Sequence, residues 1–208
     1  IRKDIDISVY IPEPGPLGVA GKEASMRVRS ALDQRGIELI TAAGVTEVST
    51  DGREASFTDG SSTSASIIAT IPVHRLPDIV AASGIANGKP WVSVDRATLE
   101  TSTANVFAIG DVNVVPSGDF AIPKAGVFAA GQGTKAGEVI ASRINDSDAP
   151  EPYDGVGFCF MAYSGGRAAT VGGEFLADGG PDTVLTDPSV AGNRSKERFE
   201  RDWRSFKI

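Results

Sequence analysis

The 208-residue chain carries a formal net charge of −7, with 27 Asp and Glu residues against 20 Lys and Arg residues. An acidic chain lacks the basic surface that general nucleic-acid binding requires, so we expect no nucleic-acid partner. One cysteine and one histidine are too few for an internal disulfide or a zinc cluster, and we expect no metal site.

The first elements predict a β-α-β unit. Ile5–Ile11 is apolar and β-branched, as in a strand of a parallel sheet, and it stops at a proline-rich loop. Apolar positions among charges predict a helix at Glu23–Arg35, which Gly36 would end. The next predicted strand is Ile37–Thr41.

Short antiparallel strands are predicted next. Asp-Gly pairs at 51–52 and 59–60 separate runs of β-type residues, which is typical of hairpins. The predicted strands are Val45–Ser49, Glu54–Thr58 and Ser66–Ile71.

The rest of the chain predicts short strands, a long helix of small residues, a linker, a hairpin and a final helix. In chain order these are helix Asp78–Ser83, strands Trp91–Val94 and Val106–Ile109, helix Ala125–Ile144, linker Ala149–Asp154, strands Gly157–Tyr163, Arg167–Val171 and Glu174–Leu176, and helix Ser195–Phe206.

The most informative segment is Thr101–Asp111, where a predicted strand ends at Gly110 and Asp111. A carboxylate at the C-terminal end of a parallel strand faces the crevice where doubly wound sheets bind ligands, and it can accept hydrogen bonds from sugar-type hydroxyls. The glycine lets the backbone approach a ligand closely. A strand followed by Gly-Asp is common, so a purely structural role is the alternative.

Lys124 stands just before the long predicted helix. A helix start presents free N–H groups and the positive end of the helix dipole, both suited to a developing negative charge. A lysine at this place conflicts with the dipole. The conflict favours a functional reason for Lys124 over a merely solvated side chain.

Together these segments resemble the pyridine nucleotide-disulfide oxidoreductase superfamily. Thr101–Asp111 resembles its second flavin signature, and nearly the whole chain is similar to the carboxy-terminal half of its members. Within the superfamily the similarity is greatest to sulfide:quinone oxidoreductases and the flavoprotein subunit of flavocytochrome c sulfide dehydrogenase. The matching blocks are SVYIPEPGPLGVAGKE, RGIEL, SIIATIPVHRLP, WVSVDRATLETSTANVFAIGDV, IPKAGVFAAGQG, YDGVGFCF and KERFERDW.

The resemblance implies an FAD-dependent oxidoreductase that oxidises sulfide or a reduced sulfur compound and passes electrons through FAD to a quinone or cytochrome. Two alternatives stay open: an NAD(P)H:quinone-type flavin dehydrogenase, and a non-catalytic module that retains the fold. The cofactor-binding residues implied are Gly110, Asp111, Val112, Lys124, Ala125, Gly126 and Pro72.

These residues would contact different parts of the cofactor. Gly110 and Asp111 would bind the ribityl and phosphate region, and Pro72 would lie in a loop near the ring. Lys124 would stand at the pyrimidine edge of the flavin, where a cation raises the electron affinity of the ring. Lys124 is therefore also a candidate catalytic residue.

The implied fold class is α/β: a partial two-dinucleotide-binding-domain flavoprotein, Rossmann-like, with a small α+β carboxy-terminal domain. Residues 1–70 would close the nucleotide-binding domain, residues 71–148 the FAD-binding domain, and residues 149–208 would form the carboxy-terminal domain with the quinone pocket. The family's initial G-x-G-x-x-G is not found near the start, and the chain begins at Ile1 rather than Met. We therefore interpret it as a fragment that would be inactive alone.

Cys159 is the second catalytic candidate. Its block resembles a segment where some sulfide:quinone oxidoreductases place a polysulfide-handling cysteine. A thiolate near an oxidised flavin can attack the ring, or a persulfide can pass electrons into it. The favoured alternative is a buried, inert cysteine between two phenylalanines.

The final predicted helix combines aromatic and basic residues. Phe199, Trp203 and Phe206 form a stripe, and residues 194–208 hold six Lys or Arg against three Asp or Glu. The stripe predicts docking onto the neighbouring hairpin or, as the sharper hypothesis, contact with a membrane surface or a second subunit in a homodimer. We expect a cytoplasmic protein, with a peripheral position at the membrane as the open alternative.

Overall fold

The computed structural model describes residues 4–117 and 120–205. The chain forms two compact units, one ending at Val73 and the other beginning at His74. The predicted domain boundaries at residues 70 and 148 remain predictions.

The first unit opens with the predicted β-α-β arrangement. Strand β1 (Ile7–Tyr10) pairs in parallel with β2 (Ile37–Ile40), and helix α1 (Gly21–Asp33) connects them. Gly36 has a φ of +64°, the left-handed conformation that ends helices. The two strands and the helix predicted for this β-α-β arrangement are confirmed to within two residues.

An antiparallel sheet completes the first unit. Its strands are β3 (Val45–Val48), β4 (Glu54–Phe57) and β5 (Ser62–Ser64). The predicted third strand, at Ser66–Ile71, is wrong. The turn at Gly60, with a φ of +83°, returns the chain at once, so that Ser62–Ser64 takes the place beside β4.

The second unit begins with short elements. They are helix α2 (Asp78–Ala82) and strands β6 (Val92–Ser93), β7 (Asn113–Val114), β8 (Pro116–Ser117) and β9 (Phe120–Ala121). Strands β6 and β7 pair in parallel, and β8 and β9 pair in antiparallel orientation.

The predicted strand at Val106–Ile109 does not form. Phe107 makes only an isolated antiparallel bridge with Glu100. The chain reverses tightly between them, because the Val106 N–H donates to the Thr103 carbonyl and the Thr101 N–H donates to the Val106 carbonyl. The parallel partner of β6 is instead β7, which follows the Gly-Asp pair rather than preceding it.

Helix α3 (Gly126–Ile144) follows the prediction closely and leads into an anchored segment. Residues 149–154 were expected to be a linker, but the Tyr153 side chain is only 5% exposed. The backbone N–H of Tyr153 donates to the Ala97 carbonyl. This segment therefore packs onto the body of the second unit.

The carboxy-terminal sheet has the order β10 (Val156–Tyr163), β11 (Arg167–Glu174), β12 (Asp182–Leu185). The predicted hairpin is confirmed. The third strand predicted at 174–176 is wrong, because β11 ends at Glu174 and the chain turns at Phe175 and Leu176; the third strand of the sheet is β12. The final helix α4 (Val190–Ser205) begins five residues before its predicted start, and Phe206 lies outside the described residues.

Candidate functional site

The Gly-Asp pair forms a tight turn that presents a carboxylate. Gly110–Val112 is a single 3-10 turn, and Gly110 has a φ of +71°, which favours glycine. Asp111 is exposed, and its carboxylate makes no hydrogen bond or ion pair with the residues that the structure describes. The carboxylate is thus available to a ligand.

Gln132 holds this turn from inside the protein. Its side chain, only 3% exposed, accepts hydrogen bonds through Oε1 from the Gly110 N–H at 2.6 Å and from Asn113 Nδ2 at 3.0 Å. Asn113 Nδ2 also donates to the Ala108 carbonyl at 2.8 Å. Neither Gln132 nor Asn113 was predicted from the sequence. For Gln132 the available signal was a glutamine on the apolar face of α3, one turn after Phe128 and one before Ala136.

Lys124 holds the same turn from the carbonyl side. Its Nζ donates to the Asp111 carbonyl at 2.6 Å and to the Asn113 carbonyl at 2.7 Å. Nζ also lies 3.7 Å from the centroid of the Trp91 ring. Partial burial lowers the pKa of Lys124, and the charge of Asp111 opposes that shift.

The start of α3 completes the cleft. Ala125 is the N-cap in an extended conformation, and no side chain caps the helix. The first N–H groups of a helix have no partner inside it and carry the positive end of the dipole. A Cβ at Gly126 would meet nothing within 4 Å, so there is open space beside these donors.

The structure brings most predicted cofactor residues to one narrow cleft. Its lining includes Gly110, Asp111, Lys124 and Ala125. The side chain of Val112 packs instead against the core around Val92, so that only its backbone is available to a ligand. Pro72 is exposed in the first unit, and its predicted role near the ring remains a prediction.

Tyr153 is a further buried polar group beside this network. Its hydroxyl has no hydrogen bond of ordinary geometry with the described residues. Burial raises the pKa of Tyr153 to about 12; Asp154 adds to the shift, and the nearby Gln132 carboxamide opposes it. The phenol is therefore neutral at physiological pH.

An open groove of about 660 Å³ adjoins the cleft; we call it the aromatic groove. The Phe199 ring lies 5.4 Å from the Phe158 ring, 5.8 Å from the Phe160 ring and 5.7 Å from the Trp203 ring. Ala125 lines both the cleft and the groove, so the two share the start of α3. The full lining is Ala125, Gly126, Val127, Phe158, Cys159, Phe160, Lys196, Phe199, Glu200, Trp203 and Arg204.

Cys159 lies in the wall of the aromatic groove and is exposed. The expectation that Cys159 is buried is therefore wrong, whereas its reactivity remains a prediction. The sulfur is nevertheless desolvated enough to raise the pKa of the thiol. At neutral pH the free thiol is consequently mostly protonated and a weak nucleophile.

The parallel β-α-β unit and the cleft at a Gly-Asp turn are typical of an α/β, Rossmann-like fold. The chain belongs to the pyridine nucleotide-disulphide oxidoreductase family, whose sequence pattern matches residues 5–134. The predicted family and fold class are thus confirmed. The prediction that the chain is part of an FAD-dependent oxidoreductase is confirmed as well. Among curated proteins, no sequence matches the chain significantly.

Solved structures share the fold. The sulfide:quinone oxidoreductase of Aquifex aeolicus is 20% identical with a TM-score of 0.77, and the match covers 97% of this chain and 49% of that one. A chain of the Tetrahymena thermophila mitochondrial ATP synthase is 18% identical at a TM-score of 0.66, covering 81% and 40%. An NAD-dependent persulfide reductase from A. fulgidus is 18% identical at 0.54, covering 82% and 32%. The chain thus spans about half the length, or less, of these relatives.

Proposed function

We propose that this chain supplies the flavin-edge and acceptor sides of an FAD-dependent oxidoreductase that oxidises sulfide or another reduced sulfur compound. A quinone or a cytochrome would receive the two electrons. One observation carries the proposal: the Asp111 carboxylate, the Lys124 ammonium and the uncapped start of α3 line one cleft. That cleft adjoins the aromatic groove at Ala125.

The residues of the cleft fit a bound flavin nucleotide. The Asp111 carboxylate is exposed and can accept hydrogen bonds from the ribityl hydroxyls. Because Gly110 has no side chain, the backbone of the turn could approach a ligand closely, and the space at Gly126 leaves room beside the helix start. When bound, FAD supplies a two-electron relay between donor and acceptor.

Lys124 and the start of α3 would stabilise negative charge at the pyrimidine edge of the ring. The ammonium is a full charge, and the free N–H groups of α3 add donors without any rearrangement. Both are held in place before a ligand binds. The expected consequence is a higher affinity for electrons in the bound cofactor.

The aromatic groove supports a quinone as the acceptor. Sites for small apolar molecules are concave and lined mainly by aromatic side chains with a few polar groups. Phe158, Phe160, Phe199 and Trp203 supply the aromatic lining, and Lys196 is among the polar groups. A quinone that accepts two electrons also takes up two protons, which the solvent-open groove can deliver.

Cys159 supports a sulfur compound as the donor. It is the only cysteine of the chain and is exposed in the groove that adjoins the proposed flavin cleft. Because its thiol is mostly protonated, we propose that Cys159 does not attack the flavin itself but accepts a sulfane sulfur from a persulfide donor: the S–S bond of the donor breaks, a Cys159–sulfur bond forms, and the donor leaves as a thiol with the Cys159 proton. In the longer protein, replacement of Cys159 by serine should lower sulfide-dependent flavin reduction and leave FAD affinity unchanged.

Titration with FAD tests the flavin site directly. Asp111→Ala should raise the FAD dissociation constant by about tenfold or more, because hydrogen bonds to a charged group contribute about 1.5–3 kcal/mol. Lys124→Ala should weaken binding as well. Flavin fluorescence measures both, with Asp178→Ala and Lys22→Ala as matched controls at exposed positions.

The outcome separates the alternatives. An FAD dissociation constant that is unchanged by both Asp111→Ala and Lys124→Ala would contradict the proposed site and favour a non-catalytic module with this fold. In the longer protein, flavin reduction by a nicotinamide nucleotide but not by sulfide would identify the NAD(P)H:quinone-type dehydrogenase instead.

A further inference from the structure

The Trp91 ring covers one side of the Lys124 ammonium. The distance of 3.7 Å from Nζ to the ring centroid lies well within the range of a cation–π contact. A lysine ammonium has three N–H donors and no acceptor. Two donors go to the carbonyls of Asp111 and Asn113, and the charge faces the indole ring as well.

Trp91 is itself held by the fold. It is half-buried and packs against the core cluster around Val92 and Ala108. The residue after it, Val92, pairs with Asn113 in the parallel β6–β7 ladder. The ladder therefore holds both the indole ring and the Asn113 carbonyl next to the Lys124 ammonium.

We propose that Trp91 is a positioning residue of the cofactor site, which keeps the Lys124 ammonium against the Asp111–Asn113 turn. The inference rests on the proposed function, in which Lys124 stands at the pyrimidine edge of the flavin. Without the ring, the long lysine side chain gains rotamers and its charge gains water. The cation then stabilises bound FAD less.

Two substitutions of Trp91 separate the effect of its aromatic face from the effect of its side-chain volume. Trp91→Leu removes the ring, whereas Trp91→Phe keeps an aromatic face over the ammonium. We expect Trp91→Leu to raise the FAD dissociation constant of the 208-residue chain by about threefold to tenfold, and Trp91→Phe to change it little. In a Lys124→Met background, Trp91→Leu should add no further loss, because the two residues act as one unit.

A second measurement needs no cofactor. Acylation of Lys124 by an amine reagent, followed by peptide mass spectrometry, reports how accessible the ammonium is. Trp91→Leu should speed the labelling of Lys124 severalfold relative to Lys22 in the same sample, and Trp91→Phe should not.

The results distinguish failure of the inference from failure of the proposed function. If the wild-type chain shows no FAD binding even at high FAD concentrations, both are overturned. A different outcome is that FAD binding depends on Lys124 while Trp91→Leu raises the FAD dissociation constant by the same factor in the wild-type and Lys124→Met backgrounds. In that case Trp91 has only a structural role, and the proposed flavin site is retained. Unchanged labelling of Lys124 in Trp91→Leu would overturn the inference alone.

Discussion

The Gly110–Val112 turn is held from two sides by residues far from it in sequence. Gln132 accepts from its N–H side, and Lys124 donates to its carbonyl side. A functional role for Lys124 could be predicted from the sequence, because a lysine just before a helix start conflicts with the positive end of the helix dipole. Gln132 and Trp91 were not, since their roles depend on contacts that only the tertiary fold creates.

Glu100 and Arg143 form an ion pair that links the end of α3 to the segment before the Gly110–Val112 turn. The guanidinium donates to both carboxylate oxygens, at 2.8 and 2.6 Å, and the Asn105 N–H donates to Oε1 at 2.6 Å. The hydrogen bonds from Arg143 and then from Asn105 lower the pKa of Glu100 to about 2.

This pair predicts a pH dependence of stability. The pKa of Glu100 is lower in the folded chain than its ordinary value of 4.5, so its contribution is present above that value. The contribution is lost as the pH falls toward about 2. Between about pH 5 and about pH 3, the urea midpoint of the wild type should therefore fall more than that of Glu100→Gln. A Glu151→Gln control should follow the wild type; parallel curves for Glu100→Gln and wild type would contradict the assignment.

At the scale of elements, periodicity located the helices better than the strands. The β-α-β unit, α3 and the β10–β11 hairpin carry strong local patterns, and all were predicted. The misplaced strands, at 66–71, 106–109 and 174–176, are apolar runs without a partner in the right register. Strand pairing is set by turns and by distant chain segments, and an apolar run cannot specify it alone.

Close packing between β10 and α3 joins the cleft to the aromatic groove. A Cβ on Gly157 would lie 2.2 Å from a ring carbon of Phe128. Phe128 is 1% exposed and packs edge-on against Phe175, with centroids 5.0 Å apart. The Phe128 ring therefore has little room to give way, and this position requires glycine.

Gly157→Ala should destabilise the chain by about 1–3 kcal/mol, the usual effect of overpacking a filled core. Gly137→Ala is the matched control, because Gly137 lies inside α3 with nothing within 4 Å of the added Cβ. There the same substitution should stabilise by about 0.5–1 kcal/mol. Urea unfolding measures both changes, and effects of equal sign would contradict the packing argument.

At the scale of the whole molecule, charge and exposed aromatic surface are concentrated near the carboxyl end. Residues 194–208 carry a net charge of about +3 in a chain of net −7. Phe199 packs onto β10 through its contacts with Phe158 and Phe160, as the docking hypothesis predicts, while Trp203 is 46% exposed. No helix in the described part of the chain is long and apolar enough to span a membrane. An exposed indole beside arginines is the pattern of a helix that touches a lipid surface.

We therefore expect the chain to co-sediment with anionic vesicles. The Trp203→Ala/Phe206→Ala double variant should bind the vesicles about tenfold more weakly, because burial of large apolar side chains drives insertion into the lipid surface. Arg201→Gln/Arg204→Gln should instead weaken binding mainly at low salt, since exposed charges are screened at high ionic strength. Thermal unfolding of each variant controls for loss of the fold. Equal co-sedimentation of the double variant and the wild type would show that α4 serves the groove and its own sheet, not a membrane.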